Sequence, residues 1–127
     1  MMLIFFFSFV NSCNLLTGSW INELGSVANL KTDSANNIIG TYNSAVGRAS
    51  GDYELRGRIT NGCPSSVVAF SVAWTNANMS AHSTSAWSGV LIDDVIYTTW
   101  LLSVAVNSSD DVWAATRVGT NVFQRQK

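Results

Sequence analysis

The chain has 127 residues, 47% of them apolar and 12% charged, with a formal net charge of −1. That is enough for one domain with one core, and it excludes a disordered tail or a binder driven by charge. Its seven Lys and Arg are spread thinly and form no basic stripe of the kind that grips nucleic acid.

In chain order, Met1 to Val10 (MMLIFFFSFV) comes first. It is apolar but well short of the roughly 20 residues that a membrane helix needs. Val10-Asn11-Ser12 offers short side chains to a signal peptidase. Residues 1–12 are therefore expected to be a secretory signal, although they lack the usual basic start; a buried N-terminal strand is the other reading. An exported, extracellular chain gives its two cysteines a meaning. In an oxidising compartment Cys13 and Cys63 are expected to form one intramolecular disulfide. The sequons Asn78-Met79-Ser80 and Asn107-Ser108-Ser109 make Asn78 and Asn107 glycosylation candidates in the same compartment.

Residues 13–127 show no 3.6-residue apolar stripe. They show short runs rich in Val, Ile, Thr, Tyr and Trp, separated by Gly, Asn, Ser and Asp clusters, which is an all-β pattern. The predicted strands are Gly18–Glu23, Val27–Thr32, Ile38–Asn43, Tyr53–Thr60, Val67–Trp74, Ser83–Leu91, Val95–Val104 and Thr116–Gln124. Between them, Ser34-Ala35-Asn36-Asn37, Thr60-Asn61-Gly62, Asp93-Asp94 and Asp110-Asp111 read as turns. Eight strands with short links suit an antiparallel up-and-down β-barrel, which removes exposed edges by closing on itself. A two-sheet sandwich shares these signals. In a barrel, Cys13 before strand 1 and Cys63 after strand 4 fall at one end, opposite the loops that follow strands 1, 3, 5 and 7.

Gly18-Ser19-Trp20 is a G-x-W of the kind found on the first strand of lipocalin-type and avidin-type barrels, and Arg125 is its expected cation–π partner. Further along stand Trp20-Ile21-Asn22-Glu23-Leu24-Gly25-Ser26, Gly40-Thr41-Tyr42-Asn43-Ser44-Ala45-Val46-Gly47, Val72-Ala73-Trp74, His82-Ser83, Trp87-Ser88-Gly89 and Trp100-Leu101-Leu102. The tail Trp113-Ala114-Ala115-Thr116-Arg117-Val118-Gly119-Thr120-Asn121-Val122-Phe123 completes the series. Together these segments resemble the avidin and streptavidin family from about Leu16 to Arg125.

The resemblance implies a biotin-binding barrel. Biotin presents a ureido group, a thioether ring and a carboxylate tail, so its pocket needs converging polar groups at one end and an apolar box. By resemblance, Asn22, Ser26 and Tyr42 donate to the ureido oxygen, as donors do in an oxyanion hole. Ser44 and Asn121 accept from the ureido N–H groups. Trp74, Trp87 and Trp100 form the box, and Ser85 meets the sulfur. Gly47, Arg48 and Ser83 hold the carboxylate end, while Leu24, Val46 and Leu102 complete the contacts. Trp113 is expected to cap the site of a neighbouring subunit, which implies a homotetramer or at least a dimer; folding over its own barrel is the alternative. Asn121 stands where the bacterial type has an acid, so Asn121→Asp is expected to slow release. Val104 replaces a serine common in the pocket, and Leu91 stands where the animal pattern has its second cysteine.

Nothing points to catalysis. His82 and Ser83 are neighbours on a strand and face opposite ways, so they form no nucleophile–base pair. No His, Cys and carboxylate cluster has metal-ligand spacing, and no cofactor, nucleic acid or membrane is expected. The expected function is secreted, non-catalytic sequestration of biotin from microbes or predators. A lipocalin-like carrier, or an avidin-fold interaction protein with weakened biotin affinity, is the alternative.

Overall fold

A computed structural model describes Cys13 and residues 15–46, 51–75 and 82–127. The expected signal segment, Gly47, Arg48 and Asn78 lie outside the described residues.

Alternation builds the sheet. In Ser65–Thr75 the side chains of Ser66, Val68, Phe70 and Val72 are buried while those between them are exposed, the period-2 signature of a strand with one face on a core. The eight strands are β1 (Gly18–Asn22), β2 (Val27–Thr32), β3 (Asn37–Asn43), β4 (Asp52–Thr60), β5 (Ser65–Thr75), β6 (His82–Ile92), β7 (Val95–Val104) and β8 (Thr116–Arg125). Each pairs antiparallel with the next, and β8 returns to β1, with Trp20 opposite Arg125 and Asn22 opposite Phe123. That last pairing closes the barrel and removes the sandwich from consideration.

One boundary differs from expectation by two residues for a visible reason. β5 begins at Ser65, two residues early, because Ser66 is buried and its Oγ accepts from Gly62 N at 3.1 Å; a polar residue inside the barrel reads as loop. Before β8, Ser109–Ala114 form a 3₁₀ turn capped by Ser108, whose side chain accepts from Asp110 N at 3.2 Å. Asp110 and Asp111 occupy its first turn, where an acid is favoured by the N-terminal partial charge.

One end of the barrel is a sealed floor. Trp20 is fully buried and donates Nε1–H to Leu16 O at 2.8 Å. The Arg125 guanidinium lies over its ring, 4.3 Å from the centroid, as the G-x-W motif led us to expect. Arg125 also donates to Thr17 O at 3.0 Å, to Asp94 Oδ1 at 3.0 Å and to Leu15 O. Leu91, Ile96 and Phe123 are buried in the same core cluster. Cys13 and Cys63 form a disulfide with Cα atoms 5.7 Å apart, tying the entering chain to the β4–β5 loop at this same end.

Candidate functional site

The opposite end, where the loops after β1, β3, β5 and β7 gather, is lined by polar groups that the strands turn inward. Its first element is the β1–β2 turn. Gly25 adopts φ +85, a left-handed conformation that favours glycine, and Asn22 spans the turn. Asn22 Oδ1 accepts from Leu24 N and Ser26 N, both at 3.0 Å. With its oxygen occupied by backbone, the amide can only turn Nδ2 elsewhere, and it donates to Tyr42 Oη at 3.1 Å. Ser26 is buried and accepts from Ala45 N at 3.0 Å, fastening this turn to the segment after β3. Burial raises the Tyr42 hydroxyl above its ordinary pKa, opposed by hydrogen bonds to Ser26 and Asn22 and reinforced by the Glu23 charge. Tyr42 therefore stays neutral and keeps its proton as a donor. The three expected donors Asn22, Ser26 and Tyr42 are brought together.

Asn121 faces them from β8. Its Oδ1 accepts from Trp87 Nε1 at 3.0 Å and its Nδ2 donates to Glu23 Oε1 at 2.7 Å. The other Glu23 oxygen accepts from Val122 N at 3.0 Å. Burial nudges the Glu23 carboxyl upward, and the bonds from Asn121, Val122 and its own N–H more than offset this, leaving it below the usual range. Sequence reasoning missed Glu23, because it meets Asn121 across 98 positions of chain and its own position is exposed.

Aromatic side chains form the walls. Trp87 stacks on Phe70 (centroids 5.3 Å) and lies 4.9 Å from Tyr42. Trp74 meets Tyr42 edge-on at 5.5 Å and Tyr53 at 4.9 Å, and its Nε1 donates to Ser85 Oγ at 2.9 Å. Trp100 pairs across the sheet with both Trp87 and Gly119. A Cβ on Gly119 would sit 2.2 Å from Trp100 Cζ2, so the glycine makes the space that the indole occupies. Phe70 and Tyr53 were not expected here. Phe70 shares the inward face of β5 with Val72 and Trp74, a period-2 signal that would have found it; Tyr53 lies opposite Tyr42 in the β3–β4 register and donates Oη–H to Thr75 O at 2.6 Å.

The remaining expected residues stand at the rim. Ser83 and Leu102 are half-buried on β6 and β7, and Ser44 donates to Val46 O at 2.7 Å. Leu24 and Val46 are 53% and 49% exposed. Trp113 is 86% exposed on the 3₁₀ turn, so it does not fold over its own barrel. Among the described residues no group of three or more His, Cys, Asp and Glu is placed to hold a metal. The arrangement combines directed hydrogen-bonding groups on two sides with aromatic walls, the mixture that small-molecule sites use.

Comparison with known proteins agrees with this geometry. The family model for the Avidin family matches residues 10–126. Avidin-related protein 3 of Gallus gallus is 36% identical over 122 residues, covering 88% of this chain and 78% of the relative. Avidin of Gallus gallus is 35% identical over 121 residues, covering 87% and 77%. Afifavidin of Afifella pfennigii is 30% identical over 119 residues, covering 88% and 72%. The chain belongs to the avidin family.

Proposed function

We propose that this protein binds biotin in the open end of its barrel, without catalysis, as a secreted protein that sequesters the vitamin. The observation that carries the reading is the convergence of Asn22, Ser26 and Tyr42, with each group oriented by a partner before any ligand arrives. Preset donors lose little freedom on binding and favour a ureido oxygen that carries partial negative charge. Asn121 Oδ1 and Ser44 Oγ accept the ureido N–H groups, Trp74, Trp87 and Trp100 enclose the ring, and Ser85 meets the sulfur. The tail runs past Leu102 and Leu24 to Ser83 and Val46, with Gly47 and Arg48 as further carboxylate contacts. A lipocalin-like carrier has no use for so many directed polar groups.

Assembly follows from surfaces that one copy leaves open. Val67, Leu101 and Val118 are half-exposed or more on the outside of β5, β7 and β8, and an outer groove of about 460 Å³ runs beside Leu101 over Gly57, Ala69, Ser71, Ala86 and Ser88. Apolar surface beside small side chains suits close packing of a second copy. Trp113 and Val112, exposed at the rim, are then free to cap a neighbour's site in a homotetramer, or at least a dimer. The disulfide supports an oxidising, extracellular setting, with residues 1–12 as the signal. Asn107, exposed on its loop, is a glycan acceptor, as is Asn78.

Thermal unfolding followed by tryptophan fluorescence tests the reading. Excess biotin is expected to raise the midpoint strongly, since a ligand at about 100 times its Kd adds about 2.7 kcal/mol. Desthiobiotin, lacking the sulfur, is expected to raise it less. A well-folded sample that biotin leaves unmoved rejects the ligand and favours an interaction role for the fold.

A further inference from the structure

The Asn121 amide has two possible settings, and Glu23 selects one. As observed, Nδ2 meets the Glu23 carboxylate at 2.7 Å and Oδ1 meets the Trp87 indole N–H at 3.0 Å. Rotating the amide by half a turn would set oxygen against carboxylate and NH₂ against indole N–H, losing both bonds and creating two repulsions. Glu23 is itself held, because Oε2 takes the N–H of Val122. That N–H lies one residue before Phe123, the partner of the last residue of β1, so the carboxylate continues a ladder that the strand has ended.

We infer that Glu23 is a positioning residue for the ligand's N–H acceptor and the reason that position 121 carries an amide and not an acid. This rests on the biotin reading. The anion behind Nδ2 polarises the amide and makes Oδ1 a better acceptor, so a neutral asparagine backed by Glu23 does part of the work of a carboxylate. An aspartate at position 121 would instead place a second anion against Glu23, and two carboxylates that close cannot both stay ionised without separating. On this inference Asn121→Asp alone does not slow release; it does so once Glu23 is neutralised, because the glutamine amide introduced by E23Q can donate to the new carboxylate in the double variant.

The test compares wild type, E23Q, N121D and E23Q/N121D, measuring release of radiolabelled biotin into excess unlabelled biotin at neutral pH. E23Q is expected to speed release when added to wild type and to slow it when added to N121D. Each change should be roughly tenfold, the range of coupling between contacting residues. The same sign in both backgrounds overturns the inference. A purely structural role would move the unfolding midpoint of unliganded E23Q, which is expected to stay near wild type because Glu23 is exposed. If no variant binds biotin, the biotin reading falls, and the unliganded protein still decides the pairing. The Trp87 indole N–H resonance, identified by its loss in W87F, is expected to shift in E23Q, and an unmoved signal overturns the inference.

Discussion

The floor and the mouth of this barrel are made from the same eight strands, yet they handle polar groups in opposite ways. At the floor, Arg125 spends its donors on Thr17, Asp94 and Leu15 and its charge on Trp20, and the buried Ser66 is bonded back to Gly62. At the mouth, Asn22, Tyr42 and Asn121 are also bonded, but each bond fixes the orientation of a side chain proposed to meet the ligand. The floor uses hydrogen bonds to close the fold, whereas the mouth uses them to set up a surface for something else. Stability and binding should therefore be separable by substitution at the two ends.

The largest effect is expected at the floor. Trp20→Ala removes a fully buried indole and should cost about 3–5 kcal/mol, read from denaturant unfolding of the unliganded protein; a cost below about 1 kcal/mol would mean that the floor is not what holds the barrel shut. Replacing Cys13 and Cys63 together by serine opens a link across 50 residues and should cost about 2–4 kcal/mol. Biotin release from that variant should stay within about twofold of wild type, because the bridge lies at the end of the barrel opposite the mouth.

Gly119→Ala sits between the two cases. The new methyl collides with the Trp100 ring, so a stability loss of about 1–3 kcal/mol is expected, accompanied by weaker biotin binding in calorimetry. An alanine that left both unchanged would show that Trp100 is not held by its neighbour. Tyr42→Phe should cost only about 1 kcal/mol of stability. Its biotin release should nevertheless quicken roughly tenfold, the equivalent of one lost hydrogen bond. Release that stayed at the wild-type rate would erase the distinction between the ends. The smallest effect is that of pH. The Glu23 carboxyl is lowered in the folded protein, so its bond to Asn121 is complete above the ordinary carboxylate range and is lost as pH falls through the lowered value. Biotin release should stay flat from neutral pH through the ordinary carboxylate range and quicken only as pH falls through the lowered value, and the rise should disappear in E23Q.

Strand positions were legible because alternation and turn residues are local signals, and all eight were placed to within two residues. Closure was legible only through the G-x-W motif with Arg125 and the family resemblance, since β1 meets β8 through residues roughly a hundred positions apart and strand patterning alone leaves a sandwich open. The donor set Asn22, Ser26 and Tyr42 was legible only through family resemblance; each is an ordinary turn or strand residue when taken alone. Glu23 escaped even so. Its importance lies in a partner on another strand, and an exposed acid in a turn looks like surface. Trp113 was recognised as a projecting side chain, but only its 86% exposure excluded the alternative of folding back.

The pairing of β1 with β8 also sets a schedule for synthesis. The ribosome delivers Trp20, Asn22 and Glu23 early, yet their partners Arg125, Phe123 and Asn121 emerge only roughly a hundred residues later. Until then the nascent chain is an open ribbon with two unpaired edges, the condition in which strands recruit wrong neighbours. Floor and mouth are thus completed in one late event, and a ribosome that stalls before β8 leaves a product with neither.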